Sequence, residues 1–285
     1  MIKSKKFYND IFKSGIAHLV IVVLGFAMIY PILWLIMASF KEGNVIFSDP
    51  SLLPKTWTWD NYVKGWEGIG IVHFSTFFIN SLYICVLCMI INSLFASITA
   101  YAFARLKFIG RKVWFAIMMI TLMLPGHVTM IPRYLIFNML NWIDTFNPFI
   151  IPKFFGGDAF FIFLIVQFIR TLPTDMDESA RIDGCSKLGI YTKIIFPLTM
   201  PAIITTMLFT FLWTWDDFLS QMIFLNSPSM YTVPMGLRLF LDSSGISSWG
   251  PMFAMSVVSL LPCFVLFFSL QKYFVQGIAT TGIKG

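Results

Sequence analysis

Long apolar runs, separated by short clusters of charge, constrain this sequence more than any other feature. A helix that crosses a bilayer needs about 20 largely apolar residues. One such run lies between Lys13 and Lys41, and another between Glu67 and Arg105. Of the 285 residues, 58% are hydrophobic and 12% are charged, whereas about 25% are charged in an average soluble domain. The sequence therefore predicts an all-α, polytopic membrane protein.

Six transmembrane helices are predicted within one transmembrane domain, residues 16–275. The predicted spans are residues 16–38, 75–103, 113–133, 147–170, 201–225 and 251–272. The fourth is the weakest, because Asp158 and Arg170 leave only a short uncharged core. The residues before that core are expected to dip into the membrane interface.

The distribution of Lys and Arg predicts the orientation of these spans. Fourteen of the 20 basic residues fall on one side of the predicted topology and six on the other. The side richer in Lys and Arg is expected to be cytoplasmic. Both termini then lie inside, as a cytoplasmic N-terminus (1–15) and a cytoplasmic tail (276–285). The formal net charge of +6 therefore reflects topology, and binding to nucleic acid is not expected.

Cysteine and histidine give no signal for a metal or redox site. Cys85 and Cys88 have the C-x-x-C spacing but lie inside an apolar run, without a second Cys/His pair. They are therefore interpreted as packing residues. The long first external loop contains four aromatic residues that are interpreted as part of an interfacial aromatic belt: Trp57, Trp59, Tyr62 and Trp66.

The most informative polar stretch is the cytoplasmic loop between the fourth and fifth predicted spans, residues 171–200. Thr174 is expected to cap a short helix whose first turn is acidic. Gly184 suits a left-handed C-terminal cap, and Ser186 suits the N-cap of a second short helix. Pro197 and Pro201 are expected to end that helix before the next span.

Two interpretations of this loop follow from the residues alone. A short helix held outside the bilayer by two spans can act as a lever if a partner protein grips it, as in helix-in-groove recognition. The alternative is a solvated amphipathic connector without a partner.

A family resemblance adds to this reading. Glu178-Ser179-Ala180, followed by Ile182-Asp183-Gly184 and then Ile195-Phe196-Pro197-Leu198 with Pro201, resembles the EAA loop of ABC-importer permeases. The sequence departs from the family pattern at Ser179 and Cys185, both small residues. In that family the loop docks into a nucleotide-binding subunit. The resemblance implies this coupling role for the following residues: Glu178, Ser179, Ala180, Asp183, Gly184 and Pro197.

The resemblance extends over nearly the whole chain and is strongest to carbohydrate permeases of the maltose-transporter type. Asn80-Ser81-Leu82 and Trp215-Asp216-Asp217-Phe218 match that family. So does the tail, Gly282-Ile283-Lys284-Gly285, which the resemblance implies also touches the ATPase. Some details look nearest to importers of plant- or alginate-derived, often uronic, oligosaccharides.

The resemblance implies an importer-type permease fold in a bacterial plasma (inner) membrane and import of a sugar or oligosaccharide. The implied partners are a second homologous permease, two ATP-binding subunits, and an extracellular or periplasmic solute-binding protein. ATP and Mg would be bound by the ATPase subunits. No cofactor and no catalytic residue are expected in this chain.

Polar residues inside predicted spans are costly and often face a cavity. Asn80, Asn92 and Gln167 are candidates for a substrate pathway, with interhelical hydrogen bonding as the alternative.

Asp216 and Asp217 are stronger candidates for the substrate pathway. About 1.5 Å per residue places Asp216 roughly 22 Å beyond Pro201, past the membrane midplane. Trp213 and Trp215 flank the two carboxylates, and ring faces with carboxylate acceptors suit a sugar. The alternative is an outer interfacial cluster with tryptophans in the belt.

Two other functions remain open at this point. One is an ABC permease for another solute, such as glycerol phosphate or a neutral disaccharide. The other is a membrane-embedded transferase that uses Asp216 and Asp217 to hold a metal, although adjacent carboxylates alone supply few ligands. The chain has no phosphate-binding G-x-x-x-x-G-K-[ST] loop, so ATP hydrolysis is not expected of it.

Overall fold

The computed structural model describes residues 2–43, 45–242 and 248–281. Within these residues the chain forms helices joined by turns. The α-helices are α1 (Ile2–Ser39), α2 (Asp60–Glu67), α3 (Phe74–Arg105), α4 (Arg111–Thr121), α5 (Met130–Met139), α6 (Asn147–Ile150), α7 (Ala159–Thr171), α8 (Asp175–Ile182), α9 (Lys187–Ile190), α10 (Phe196–Leu198), α11 (Met200–Trp215), α12 (Phe218–Phe224), α13 (Val233–Asp242) and α14 (Trp249–Thr281). Short 3-10 helices cover Ile151–Phe154 and Pro228–Met230, and a π-helical turn covers Tyr191–Ile195.

Four helical stretches in the described residues are long and apolar enough to cross a membrane. They are Ala17–Ser39, Phe74–Arg105, Asn147–Thr171 and Trp249–Lys272. A fifth candidate is the pair Lys187–Leu198 and Met200–Trp215, which is bent by 74°. The first, second, fourth and sixth predicted spans thus have helical counterparts.

The third predicted span, residues 113–133, is not one helix. The chain forms α4, leaves the helix at Leu122, and resumes it at Met130 as α5. Pro125 and Gly126 lie in the break, and both residue types disfavour a continuous helix. The fifth predicted span is also shorter than residues 201–225, because α11 ends at Trp215 and α12 begins at Phe218.

The chain divides into two compact units. The first unit contains Met1–Ile71 and Leu239–Val258. Its core is formed by Ala38, Ile46 and Phe253. The buried amide of Asn61 donates to the carbonyls of Ser39 and Lys41, at 2.8 and 2.7 Å. The loop after α1 is therefore a folded element.

Exposed indoles surround Phe40 in this first unit. The ring centroids of Trp57 and Trp59 lie 5.4 and 4.9 Å from that of Phe40. Trp57, Trp59 and Trp66 remain 59%, 67% and 45% exposed. The interfacial belt at these indoles stays a prediction.

The second unit contains Val72–Arg238 and Ser259–Gly285. Its main core lies where α3 packs against α7 and α11. Ala96 and Ala100 are fully buried there, and such small side chains let helices approach closely. A Cβ on Gly157, at φ +81°, would lie 2.8 Å from the backbone nitrogen of Ala96. Glycine is therefore required where the turn before α7 touches α3.

A second cluster in this unit joins α3 to α5, α6 and α12. It contains Ile84, Cys88, Phe137, Phe149 and Phe224. Cys85 is also buried, and the thiol of Cys88 donates to the carbonyl of Phe149 at 3.3 Å. The interpretation of both cysteines as packing residues is confirmed.

Candidate functional site

The polar segment, residues 175–198, forms the helices predicted between the fourth and fifth spans. Helix α8 begins at Asp175 and carries Asp175, Asp177 and Glu178 in its first turn. The predicted cap by Thr174 is wrong, because its backbone is already helical (φ −75°, ψ −23°) and its side chain makes no capping hydrogen bond. The acidic residues alone favour this end of the helix dipole.

The turn after α8 is a Schellman motif. Gly184 has φ +81°, the left-handed conformation that the sequence predicted. The N–H of Cys185 donates to the carbonyl of Ala180 at 2.9 Å, and that of Gly184 donates to Arg181 at 3.0 Å. These two bonds satisfy the carbonyls left free at the helix end.

The second half of the polar segment also begins as predicted. Ser186 caps α9, and its hydroxyl accepts from the N–H of Gly189 at 3.1 Å. Helical backbone then continues through Pro197, which is exposed, and breaks only at Thr199. The chain turns by 74° there before α11. The helix therefore ends between Pro197 and Pro201, before α11, as the sequence predicted.

The two faces of the polar segment differ sharply in burial. Ala180 is 6% exposed and packs into the main core. Ile182 and Leu188, by contrast, are 87% and 70% exposed. Also exposed are Glu178, Ser179, Asp183 and Gly184. Five of the six residues predicted to couple are thus accessible, while the side chain of Ala180 faces inward and cannot contact a partner.

A buried ion pair ties the polar segment to α3. Nε of Arg105 lies 3.0 Å from Oδ2 of Asp177, and these side chains are 7% and 6% exposed. The same guanidinium donates to the carbonyl of Leu172 at 2.7 Å. Oδ1 of Asp177 is buried without a hydrogen-bond partner, so Arg105 supplies the main compensation for that charge. No sequence pattern signalled this pair, whose members are far apart in the chain.

A second tie lies further along the polar segment. The hydroxyls of Tyr191 and Ser97 are 2.6 Å apart, and the hydroxyl of Tyr101 donates to the carbonyl of Lys187 at 3.0 Å. The rings of Tyr101 and Tyr191 have centroids 5.3 Å apart. Both halves of the polar segment are therefore fastened to the same end of α3.

The two indoles that flank Asp216 in the sequence lie in different surroundings. Trp215 is 7% exposed and stacks on Phe211, whereas Trp213 is 51% exposed and packs against Phe161. Residues two apart on a helix point to different sides, so the two indoles cannot face one ligand. Oδ1 of Asp217 caps α12 by accepting from the N–H of Ser220 at 3.0 Å. Asp216, at the break between α11 and α12, is exposed.

The three amide side chains also separate into different roles. Asn80 donates to the carbonyls of Ser229 and Tyr231, both at 2.9 Å, which favours the hydrogen-bonding alternative for this residue. Asn92 is fully buried. Gln167 lies on an exposed face of α7. Of the predicted pathway residues, Gln167, Trp213 and Asp216 are thus exposed.

Asn92 is the centre of a polar network at the break before α7. Its amide donates to Thr210 at 2.8 Å and to Asp158 at 3.2 Å, and its oxygen accepts from the N–H of Asp158 at 2.8 Å. Nζ of Lys153 lies 2.7 Å from the Asp158 carboxylate. This network joins α3, α7 and α11, and it explains how charged residues are tolerated in the fourth predicted span.

The third-span segment, residues 111–139, is exposed along most of its length. Met123, Val128 and Ile131 are 82%, 66% and 74% exposed. The N–H groups of Gly126 and His127 have no hydrogen-bond partner among the described residues. Irregular backbone does not face lipid within the hydrocarbon region. If the segment spans the membrane, other protein or a water-filled cavity must cover this break.

Two further predictions concern the C-terminal tail and metal binding. The tail residues Gly282, Ile283, Lys284 and Gly285 lie outside the described residues. Within the described part of the chain, no three His, Cys, Asp or Glu side chains are grouped closely enough to hold a metal ion.

Comparison with known proteins identifies the relatives of this chain. A family model, described as the binding-protein-dependent transport system inner membrane component, matches residues 92–280. The arabinooligosaccharides transport system permease protein of Halalkalibacterium halodurans is 32% identical over 265 residues, which is 92% of this chain and 93% of the relative. The galactooligosaccharides transport system permease protein of Bacillus subtilis is 30% identical over 269 residues, 94% of this chain and 95% of the relative.

A solved structure shares the fold. A bacterial ABC transporter involved in the import of the acidic polysaccharide alginate contains a chain that matches with a TM-score of 0.82 and 22% identity. The match covers 93% of this chain and 98% of that chain.

Proposed function

The chain belongs to the family of binding-protein-dependent transport system inner membrane components, and on that premise we propose that it is one permease subunit of an ABC importer for an oligosaccharide. Members of this family are transport components and not enzymes. Two relatives at 30% identity or more are named for arabino- and galactooligosaccharides. Those names favour an oligosaccharide over glycerol phosphate as the solute.

The proposed topology has six spans in a bacterial inner membrane, with both termini in the cytoplasm. The excess of Lys and Arg on one side supports this orientation. It places the polar segment in the cytosol. The third span would then be the broken pair α4 and α5.

The observation that carries the proposal is the two-faced structure of the polar segment. Its inner face is fastened to α3 by Arg105 and Asp177, while its outer face exposes Glu178, Ile182 and Leu188. An amphipathic helix that presents charged and apolar side chains outward suits a groove in another protein. We assign that groove to an ATP-binding subunit, which would carry ATP and Mg.

The same geometry allows movement of the polar segment to be transmitted to the membrane helices. A partner that shifts α8 must shift the end of α3, because breaking the buried ion pair would leave an uncompensated charge. The polar segment also continues directly into α11 through the bend at Thr199. Movement of one surface helix is therefore passed to two helices that pack on each other in the main core.

A second permease would pack against the exposed surface of the third-span segment. The break at Leu122–Thr129 exposes Met123 and Val128, together with backbone N–H groups that no described residue pairs. A homologous partner packed there would cover that backbone or enclose a cavity beside it. Gln167, Trp213 and Asp216 are exposed, and we keep them as the proposed pathway residues. A solute-binding protein would deliver the substrate, as the family description implies.

The experiment is reconstitution of the complex in proteoliposomes with its binding protein, measuring solute uptake and ATP hydrolysis. We expect Glu178→Lys and Gly184→Asp to abolish uptake without changing expression or membrane insertion. Asp60→Lys is the matched control, since it reverses another exposed carboxylate, on α2, and should leave uptake normal. Normal uptake in Glu178→Lys would refute the coupling role.

The substrate class is tested by adding a panel of solutes to the same preparation. Neutral arabino- and galactooligosaccharides, uronic oligosaccharides, a neutral disaccharide and glycerol phosphate would each be supplied with the binding protein. We expect an oligosaccharide to stimulate ATP hydrolysis most. Stimulation by glycerol phosphate alone would overturn the oligosaccharide assignment while leaving the importer assignment intact.

A further inference from the structure

The turn between α3 and α4 forms a basic surface cavity that is widely open to its surroundings and lies outside the residues assigned to coupling. Its volume is about 420 Å³, which lies in the range of small-molecule sites. The lining residues are Lys107, Phe108, Gly110, Arg111, Lys112 and Val113. Three of these six residues are cationic.

The charge of this cavity is not balanced within the chain. Residues 103–117 contain no Asp or Glu. Lys107 and Lys112 are exposed and make no ion pair or hydrogen bond with any described residue. Arg111 has a structural task, because its Nη1 donates to the carbonyl of Leu106 at 3.0 Å and closes the turn. Two lysine ammonium groups are therefore available to an anion.

Backbone groups at the start of α4 add to this positive potential. Gly110 has φ +78° and leads directly into this 11-residue helix. The first-turn N–H groups of a helix and the positive end of its dipole favour a bound anion. Arg170 of α7 lies 5.3 Å from the ring of Phe115 on α4, so a further cation lies against this helix.

Exposed apolar side chains adjoin the cations. Ile109 is 99% exposed, Val113 61% and Trp114 59%. This turn directly follows the candidate span Phe74–Arg105. The cavity therefore lies where an apolar membrane surface gives way to a charged one.

We propose that this cavity binds the phosphate of an anionic phospholipid headgroup, with Lys107 and Lys112 as its ligands. Basic pockets at the ends of membrane helices bind anionic headgroups. A lipid is favoured over free phosphate because Ile109 and Trp114 offer an apolar surface to the acyl chains. The proposal does not depend on the transport function, since it concerns only the chain and its bilayer.

The test is lipid binding by the full purified chain in neutral detergent. Phosphatidylglycerol and phosphatidylcholine are supplied in equal amounts, and retained lipid is measured by native mass spectrometry. We expect the wild type to retain phosphatidylglycerol preferentially. Lys107→Gln with Lys112→Gln should weaken that retention by about fivefold for each lysine removed. Lys107→Arg with Lys112→Arg should keep it.

The control variant is Lys55→Gln with Lys64→Gln, which removes two exposed lysines elsewhere and should leave retention unchanged. Equal retention of the two lipids by the wild type, or unchanged retention in the Lys107/Lys112 glutamine variant, would overturn the proposal. Inorganic phosphate should not displace the lipid at millimolar concentration. Full displacement by phosphate would assign the cavity to a soluble phosphate and also overturn it.

Discussion

The polar segment and the third-span segment differ in how much of their contact surface the chain itself supplies. The polar segment has one buried face, fixed by the ion pair of Arg105 and Asp177, and one exposed face. The third-span segment is exposed on most sides, and its irregular backbone contains N–H groups without a partner in the described part of the chain. The first pattern suits docking of a soluble partner onto a surface that this chain already holds in place. The second suits a membrane element that another membrane subunit completes.

The largest effect is expected where the polar segment is fastened. Asp177→Ala should destabilise the chain by about 3–5 kcal/mol, because it leaves the buried Arg105 without its partner. Thermal unfolding of the purified complex measures this loss. Replacing both residues, Arg105→Met with Asp177→Leu, should recover most of the stability, since no charge is then buried. If Asp177→Ala is as stable as the wild type, the ion pair between Arg105 and Asp177 is not formed.

A smaller effect is expected near the end of the third-span segment, at Asp144. Its carboxylate accepts from the N–H groups of Asn226 and Ser227, both at 2.9 Å. Asp144→Asn should cost about 1.5 kcal/mol, the low end for hydrogen bonds to a charged group, because the carboxylate is partly solvated.

The pH dependence of this clamp follows from the same contacts. Hydrogen bonds from the Ser227 side chain and backbone lower the pKa of Asp144 below its ordinary value of 3.8. The folded chain therefore binds the proton more weakly than the unfolded chain. The stabilisation is fully present above pH 3.8 and is lost as the pH falls through the lower, folded-state pKa. Thermal unfolding below pH 4 should show this loss in the wild type and not in Asp144→Asn.

Hydrogen exchange compares the two segments directly. In the chain alone, the N–H groups of Gly126 and His127 should exchange freely, while that of Cys185 is protected by its bond to Ala180. Assembly with the second permease should slow exchange at Gly126 and His127 by about tenfold or more, a change of about 1.4 kcal/mol. Unchanged exchange in the assembled importer would show that the second permease does not cover this backbone.

The smallest effect is expected at the turn between α8 and α9. A Cβ at Gly184 meets nothing within 4 Å, so only its φ of +81° opposes substitution. Gly184→Ala should lower stability by about 1 kcal/mol. Gly184→Asn should cost less, because Asn tolerates the left-handed conformation. If both variants unfold at the wild-type temperature, the left-handed cap does not contribute to stability.

The helix caps that the sequence predicted correctly depend only on residues close together in the chain. Gly184 and Ser186 act as the expected caps because such motifs close within a few residues. Thr174 does not act as a cap, because its backbone is already helical and its side chain makes no capping hydrogen bond.

Contacts between residues that are distant in the chain could not be predicted. Arg105 and Asp177 meet only after α3 and α8 pack together. Trp213 and Trp215 looked like one site in the linear sequence but lie on different sides of α11. Pro125-Gly126 was a local signal for the break in the third predicted span. The apolar character of residues 113–133 nevertheless predicted one continuous helix.

Labelling of Ile182→Cys, in a chain that also carries Cys185→Ser, tests most directly whether the exposed face of α8 docks an ATPase. Ile182 is 87% exposed, so a membrane-impermeant maleimide should reach this cysteine. Lys55→Cys, in the same background, is the control from the first external loop.

We predict that Ile182→Cys is labelled in inverted vesicles stripped of ATPase subunits and is protected when those subunits are added back. Lys55→Cys should be labelled only in intact cells. Labelling of Ile182→Cys from outside intact cells, or unchanged labelling after the ATPase subunits bind, would contradict the proposed coupling surface.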